Sequence, residues 1–273
     1  MPASSLSADR IAELDAFLIE LNRASSAEIL PLFRAEHGLE DKGGPKGFDP
    51  VTYADRNAEA AIRALIAKRF PEHGVIGEEY GEDRPEADFV WVLDPIDGTR
   101  AFISGLPVWT TLIGLRFQGA PVLGSIGQPH IGEIFIGHAG GSRLVAGGRE
   151  TPLKVRPCPR FDEAVIATTD PILFKGEDAA AWNALRASVR LARLGCDAYA
   201  YAMVAMGKLD LVVETGLKSW DIEAARALLI GAGGVVADWR GNPIGNNGGQ
   251  MLIAGDPACL EAAAGFLSSV AKP

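Results

Sequence analysis

The sequence predicts an α/β layered fold in which helices cover mixed β-sheets. Short strand patterns alternate with helical patterns through the second half of the chain, and three consecutive strand patterns separated by turn residues occupy its middle. The chain has 273 residues, of which 48% are hydrophobic, and this is enough to build a large core. We therefore expect one domain over residues 1–273, in which two lobes, 1–150 and 151–273, share a cleft.

The first quarter of the chain contains two predicted helices. Ser7 suits the N-cap of the first helix, whose apolar residues recur at helical spacing. These residues are Ile11, Leu14, Phe17, Leu18 and Leu21. The helical pattern continues through 29–33, and the glycines and proline of Lys42-Gly-Gly-Pro-Lys46 then break regular structure. Thr52 and Asp55 have the spacing of a capping box, which predicts the start of the second helix.

Two short apolar runs that end in acidic residues follow the second predicted helix. The run at 75–77 predicts a strand that ends in Glu78 and Glu79. The run at 89–93 predicts a buried strand, and we expect Pro95 to end it because proline has no backbone donor, which would place Asp94 at the end of the strand. The other predicted strands are 110–117, 122–126, 133–137, 164–168, 209–214 and 251–254, and the other predicted helices are 178–189, 199–206, 221–231 and one that begins at 257.

Charge and cysteine content exclude several classes of protein. The net charge of −9 and the lack of a Lys/Arg cluster argue against nucleic-acid binding. Three widely spaced cysteines predict neither a disulfide framework nor a zinc knuckle, and they fit a reducing cytoplasm. The N-terminus lacks the features of a signal peptide, and no apolar run approaches the length of a membrane span. We therefore expect a cytoplasmic protein that binds neither nucleic acid nor membrane.

The sequence Asp94-Pro-Ile-Asp97-Gly-Thr99 predicts a cluster of oxygen ligands. Gly98 allows a tight turn that brings Asp97 and the Thr99 hydroxyl back toward Asp94. Two carboxylates this close repel unless a cation lies between them, and oxygen ligands are those that Mg²⁺ prefers. Taken alone, the motif has a second interpretation, a strand-to-helix turn in which Asp97 or Thr99 caps the helix.

Three motifs, taken together and in this order, resemble those of the inositol monophosphatase family of Mg²⁺-dependent phosphatases. They are Gly77-Glu78-Glu79, Asp94-Pro-Ile-Asp97-Gly-Thr99 and Trp220-Asp221-Ile-Glu-Ala-Ala, and the similarity extends from about 51 to 234. The resemblance implies an α/β/α/β/α sandwich of two mixed sheets, a homodimer and possible sensitivity to lithium. The segment 102–115 is more similar to the histidinol-phosphate phosphatase branch of the family than to the inositol branch.

The resemblance also implies a metal site with two or three Mg²⁺ ions per chain. Its ligands would be Glu78, Asp94, the backbone carbonyl of Ile96, Asp97 and Asp221. The first lobe would supply all of them except Asp221, which would close the cleft from the second lobe. From the residues alone, Asp221 is better explained as the N-cap of an alanine-rich helix, and it is the match to the family motif that favours the metal role.

The catalytic residues implied by the resemblance are Asp55, Thr99 and Glu78. Asp55 would pair with Thr99 to orient the water that attacks a phosphomonoester in line, and no covalent intermediate is expected. Asp55 is also explained by the capping box, and both roles are compatible.

The substrate contacts implied by the resemblance are Gly98, Thr99, Asp197, Glu214, Asp221 and Lys42. Two extra acids, Asp197 and Glu214, favour a cationic leaving group such as that of histidinol phosphate, with inositol-1-phosphate or another small phosphate as the alternative. Asp197 could instead be a turn residue, and Glu214 the polar end of a strand. The sequence leaves open whether Lys42 or Lys46 faces the site, and whether their loop screens phosphate or is a solvated turn.

Three other classes of protein share single features with this sequence. Haloacid-dehalogenase phosphatases place their two aspartates two residues apart, whereas Asp94 and Asp97 are three apart with a proline between them. A Rossmann oxidoreductase is disfavoured because the glycines at 231–234 follow a predicted helix, where they serve as its C-cap, instead of opening one. A non-catalytic metal-binding homologue stays open. The four histidines lie outside the matched motifs, and we expect no catalytic role for them.

Overall fold

The computed structural model describes residues 6–36, 38–42 and 50–272. The helices in this part of the chain are α1 (Ala8–Ile29), α2 (Tyr53–Arg69), α3 (Thr99–Ile103), α4 (Glu177–Ala187), α5 (Tyr199–Ala205), α6 (Ser219–Ala232) and α7 (Pro257–Leu267). The strands are β1 (Glu40–Asp41), β2 (Pro50–Val51), β3 (Gly74–Gly77), β4 (Gly81–Asp83), β5 (Phe89–Asp97), β6 (Thr110–Phe117), β7 (Ala120–Gln128), β8 (Glu133–His138), β9 (Gly141–Ala146), β10 (Arg149–Leu153), β11 (Val165–Thr168), β12 (Leu191–Leu194), β13 (Leu211–Leu217), β14 (Val235–Ala237) and β15 (Gly249–Ala254).

The strands form two mixed sheets and one small antiparallel pair. The larger sheet has eight strands in the order β10-β9-β8-β7-β6-β5-β3-β4, and only β3 and β5 are parallel neighbours in it. The smaller sheet has five strands in the order β12-β11-β13-β15-β14. In it β11 is parallel to β12 and β13, and the remaining pairs are antiparallel. Strands β1 and β2 form the pair.

The helices make three layers around these two sheets. Helices α1 and α2 pack together on one face of the larger sheet, α5 and α6 lie between the sheets, and α4 and α7 cover the far face of the smaller sheet. Strand β13 illustrates this layering, because its successive side chains face opposite helix layers. Val212 belongs to the core between the sheets, whereas Leu211 and Val213 pack with residues of α4 and α7. The expected α/β/α/β/α sandwich is confirmed.

Local sequence signals set several element boundaries as predicted. The Ser7 side chain accepts a hydrogen bond from the Arg10 backbone and caps α1. Asp55 Oδ2 accepts from the Thr52 backbone N–H at 2.8 Å, and Thr52 Oγ1 accepts from Ala54 N at 3.1 Å, so the capping box of α2 is formed. Gly233 ends α6 in the left-handed conformation, at φ 86°.

Strand β5 differs from the prediction that Pro95 would end it. The strand continues through Pro95 to Asp97, and its register with β6 shifts between Asp94 and Asp97. Proline is tolerated at such an irregularity, because the ladder is already interrupted where its missing N–H would fall. Asp94 therefore lies inside the strand and not at its end.

Other differences concern helix ends and weakly patterned strands. Helix α1 stops at Ile29 and is followed by a 3₁₀ turn at Leu30–Leu32, and α6 begins two residues before Asp221. The prediction missed β1, β2, β4, β9, β10, β12 and β14. Several of these are short or polar, and four of the five residues of β10 are exposed, so no apolar alternation marks it. In the described ranges no helix is both long and apolar enough to span a membrane.

Candidate active site

Three aspartates from distant parts of the chain meet at one point. Asp94 and Asp97 come from β5, Asp221 comes from the first turn of α6, and one carboxylate oxygen from each lies within 4.8 Å of the others. Residues three apart in a regular strand lie on opposite faces. The register shift in β5 turns Asp94 and Asp97 toward the same side, and α6 packs over this strand to bring in Asp221.

Glu78 and Ile96 line the same cavity as the three aspartates. This acidic cavity has a volume of about 320 Å³, and its walls also include Gly98, Thr99, Lys218 and Trp220. The Ile96 carbonyl accepts a hydrogen bond from Thr99 Oγ1 at 3.1 Å, which leaves a second lone pair on that oxygen. The five groups expected to bind metal are thus gathered around one space, with Glu78 outside the tight group of three.

Burial gives these carboxylates unusual pKa values. Desolvation raises the pKa of Glu78 to about 8, and it raises the pKa values of Asp94 and Asp97 well above the ordinary range. Neighbouring carboxylates add to the effect, because Glu78, Asp97 and Asp221 all repel charge on Asp94. Burial likewise raises the pKa of Asp221 to about 6, although the Lys218 backbone N–H, 2.6 Å from Asp221 Oδ2, opposes the shift.

This donor set fits a magnesium ion. Asp94 Oδ1 is buried and has no hydrogen-bond partner among the described residues. Leaving a buried polar atom unpaired costs about 1–3 kcal/mol, which a bound cation would offset. Carboxylate and carbonyl oxygens are hard ligands of the kind that Mg²⁺ binds, and the positive charge would relieve the repulsion among the acids.

Asp55 and Thr99 form the expected pair beside the acidic cavity. Thr99 Oγ1 lies 3.5 Å from Asp55 Oδ1, and Asp55 Oδ2 is held by the backbone and hydroxyl of Thr52. Asp55 is 2% exposed, and burial raises its pKa to about 6. One carboxylate oxygen therefore caps α2 while the other faces Thr99, so both interpretations of Asp55 are compatible with the geometry.

A second cavity of about 240 Å³ adjoins the first through Gly98 and Thr99. Its remaining lining residues are Pro50, Arg100 and Asp197. Gly98 has φ 80°, and a β-carbon there would lie 2.9 Å from Asp197 Oδ2, so only glycine suits this position. Burial raises the pKa of Asp197 to about 6, and the nearby Arg100 opposes the rise. The backbone N–H after Asp197 is donated to Asp97 Oδ2 at 2.7 Å, which ties this turn to the acidic cavity.

Glu214 and Lys42 lie at the margins of this arrangement. Glu214 is 1% exposed, accepts hydrogen bonds from the backbone and hydroxyl of Thr169, and lines neither cavity. Lys42 Nζ is 2.9 Å from Glu79 Oε1 and 3.8 Å from Glu78 Oε1, at the edge of the acidic cavity. Lys46 and His37 lie outside the described residues.

Two cations at the cavities were missed from the sequence. Lys218 lines the acidic cavity and its charge lowers the pKa of Asp221, and Arg100 lines the second cavity. Each is close in sequence to a recognised motif, because Arg100 directly follows Thr99 and Lys218 precedes Asp221 by three residues. Their closeness to these motifs is the sequence feature that could have identified them as residues of the site.

The five-layer fold and the acidic cavity are compatible with a phosphatase, and comparison with known proteins identifies the class. Residues 10–270 match the model of the inositol monophosphatase family. The chain belongs to this family, whose members are phosphomonoester hydrolases.

The relatives include proteins that are named for different substrates. The chain is 43% identical over 234 residues to the chloroplastic bifunctional phosphatase IMPL2 of Arabidopsis thaliana, covering 84% of this chain but only 66% of the plant protein. It is 34% identical over 208 residues to the histidinol-phosphatase of Chlorobaculum parvum, covering 76% of each. A solved inositol monophosphatase from Zymomonas mobilis superposes with a TM-score of 0.84 at 38% identity, covering 96% of this chain and 100% of the other.

Proposed function

We propose that this protein is a Mg²⁺-dependent phosphomonoesterase whose preferred substrate is histidinol phosphate. The observation that carries the proposal is the convergence of Asp94, Asp97 and Asp221 beside a second cavity that contains another acid, Asp197. The first cavity suits a phosphate held through metal ions. The second is lined by both Asp197 and Arg100, and its carboxylate suits a leaving group with a positive charge.

The metal ligands in this proposal are Glu78, Asp94, the Ile96 carbonyl, Asp97 and Asp221, which together would hold two or three Mg²⁺ ions. When bound, Mg²⁺ would neutralise charge on the phosphate, activate water and stabilise the leaving oxygen. Family membership supports this choice of metal, because the family is generally Mg²⁺-dependent.

Thr99 and Asp55 would orient the attacking water. The Thr99 hydroxyl has two acceptors within reach, Ile96 O at 3.1 Å and Asp55 Oδ1 at 3.5 Å, and donation to either leaves oxygen lone pairs that accept a hydrogen bond from water. With a pKa of about 6, Asp55 is largely ionised at neutral pH, so its Oδ1 can accept the hydrogen bond of the Thr99 hydroxyl while that hydroxyl oxygen accepts one from the attacking water. The chain's own carboxylates form no covalent bond to phosphorus in this proposal.

Asp197 would recognise the leaving group. The ammonium of histidinol would form a charge-assisted hydrogen bond with this carboxylate, and an uncharged inositol would use it less fully. Glu214 lines neither cavity, and burial raises its pKa to about 8, so it is largely protonated at neutral pH and Asp197 is the acid that would carry the charge for recognition. The relative that is named a histidinol-phosphatase supports this choice, whereas the solved inositol monophosphatase supports the alternative substrate, inositol-1-phosphate.

The decisive experiment measures phosphate release from a panel of substrates, with Mg²⁺ and with a chelator. The panel contains histidinol phosphate, inositol-1-phosphate, 3′-phosphoadenosine 5′-phosphate and fructose 1,6-bisphosphate. We expect histidinol phosphate to give the highest kcat/KM and chelation to stop turnover. Preference for inositol-1-phosphate would move the assignment to the inositol branch, and metal binding without hydrolysis of any substrate would indicate a non-catalytic homologue.

A variant of Asp197 tests the recognition of the cation directly. Asp197→Asn should lower kcat/KM for histidinol phosphate by about 10–100-fold, because hydrogen bonds to charged groups contribute about 1.5–3 kcal/mol. Turnover of inositol-1-phosphate should change much less. Equal losses on both substrates would contradict the cationic pocket.

We also propose that the protein is a cytoplasmic homodimer. Family resemblance is the support for the dimer, and the reduced cysteines support the compartment. Light scattering coupled to size-exclusion chromatography measures the assembly, and a mass of 28.8 kDa would show a monomer.

A further inference from the structure

Glu59 is a buried acid to which the proposed function gives no role. It lies in α2, it is 0% exposed, and it is in an ion pair with Arg63, whose Nε is 2.7 Å from Glu59 Oε1. Its carboxylate also accepts two backbone hydrogen bonds, from Glu79 N at 2.8 Å and from Tyr80 N at 3.2 Å. Burying a carboxylate away from water costs free energy unless the group is paired and hydrogen-bonded, so these partners stabilise Glu59 in its buried position.

The two backbone donors belong to the turn that carries Glu78. On the N-terminal side of Glu78, its own N–H donates to Leu93 O on β5 at 3.2 Å. On the C-terminal side, the N–H of Glu79 donates to Glu59. Both peptide groups that flank the Glu78 α-carbon are therefore hydrogen-bonded, one to β5 of the larger sheet and one to Glu59, and this sets the direction in which the Glu78 side chain leaves the backbone.

The surroundings of Glu59 show how tightly this turn is held. Arg63 also donates to Gly81 O, so the Glu59–Arg63 pair contacts the turn at Glu79, Tyr80 and Gly81. A methyl group at Gly77 would overlap the Glu59 carboxylate, so the glycine allows this close approach.

Glu59 also connects two parts of the candidate site. Asp55 and Glu59 are four residues apart on α2, so they lie on the same face of the helix. Asp55 contacts Thr99, and Glu59 contacts the turn that bears Glu78. One rigid helix therefore fixes the position of the water-orienting pair relative to the proposed metal ligand.

We propose that Glu59 is a positioning residue that orients Glu78 toward the acidic cavity. This inference rests on the proposed function, in which Glu78 is a metal ligand. Without Glu59, the peptide between Glu78 and Glu79 loses the acceptor of its N–H, and Lys42, which lies near both acids, draws the Glu78 carboxylate out of the cavity. Groups that hold a metal ligand in place typically change metal affinity by about 10–100-fold when they are removed.

The test is metal binding by Glu59→Gln, measured by titration calorimetry with Mn²⁺ and by the Mg²⁺ dependence of phosphate release. Glutamine keeps the size of the side chain, but it has one acceptor oxygen and places an amide donor toward a backbone N–H. We expect about 10–100-fold weaker Mn²⁺ binding and a higher Mg²⁺ requirement, with most of kcat recovered at saturating Mg²⁺.

Asp210→Asn is the matched control. Asp210 is 1% exposed, pairs with Arg156 and accepts a backbone hydrogen bond from Val165 N at 2.7 Å, so it loses the same kinds of contact on the other sheet. We expect this variant to lose thermal stability while its Mn²⁺ affinity stays at the wild-type value. This comparison separates positioning of Glu78 from general destabilisation.

Gly77→Ala provides a second route to the same perturbation if Glu59→Gln does not fold. The added methyl group displaces the flexible end of Glu59 and leaves its charge intact. We expect it to weaken Mn²⁺ binding as Glu59→Gln does. Wild-type Mn²⁺ affinity in either folded variant, or equal weakening in Asp210→Asn, would overturn the inference. Wild-type protein that binds no Mn²⁺ would instead refute the proposed metal site itself.

Discussion

The buried ion pair between Arg116 and Glu223 gives a stability prediction whose size follows from the structure. Arg116 is on β6 and Glu223 is on α6, two residues after Asp221, so the pair joins the larger sheet to the helix that carries this acid. Glu223 is 0% exposed and Arg116 is 8% exposed. Arg116 donates to Glu223 Oε2 from Nε at 2.8 Å, and its Nη2 lies 2.7 Å from the same oxygen.

We expect Glu223→Ala to lower the free energy of unfolding by about 3–5 kcal/mol, because it leaves the Arg116 guanidinium buried without its counter-charge. Arg226 lies 3.3 Å from Glu223 and also loses this partner. For a protein with a stability of about 5–15 kcal/mol, this is a large fraction of the total.

Urea unfolding followed by circular dichroism is the assay. A control double variant, Arg116→Met with Glu223→Leu, removes both charges and should recover most of the loss, since apolar replacement of a buried pair is often neutral or stabilising. A cost below about 1 kcal/mol for Glu223→Ala would show that Arg116 finds water or another partner, and it would refute the reasoning.

Three further predictions concern the site, pH and the core. Asp94→Asn should lower phosphate release at least about 100-fold, because it removes a proposed metal ligand. It should also raise the melting temperature of the metal-free protein, because it removes a buried acid that neighbouring carboxylates repel. The substrate panel measures the activity and calorimetry measures the melting temperature, and retained activity would contradict the ligand role. The metal-free protein should lose stability as pH rises from about 4.5 to 8, because burial raises the pKa of Glu214 to about 8 and the folded state binds more protons than the unfolded state over this window. This pKa shift corresponds to about 4–5 kcal/mol in the free energy of unfolding. If Glu214 is responsible, Glu214→Gln should flatten the pH profile of stability measured in urea. His73→Phe should cost about 1–3 kcal/mol, because the buried Trp91 indole N–H donates to His73 Nδ1 at 3.0 Å and would lose its acceptor; unchanged stability in urea would indicate that the indole finds another partner.

The sequence by itself determined what depends on near neighbours. Features that follow from hydrogen bonds or side-chain alternation within a few residues were predicted correctly. They are the capping box of Thr52 and Asp55, the Ser7 cap, the Gly233 C-cap and the ends of β6. The three acidic motifs also indicated the family, because their order and spacing are specific when they occur together.

Only the tertiary structure decided which side chains share the site. The register shift in β5 turns Asp94 and Asp97 to one side, and packing of α6 on β5 brings in Asp221 across more than a hundred residues of sequence. Contacts between other distant segments hold Glu214 of β13 against Thr169 and Glu59 of α2 against the turn after Glu78. These positions depend on contacts between distant segments, whose energies no local pattern of residues encodes.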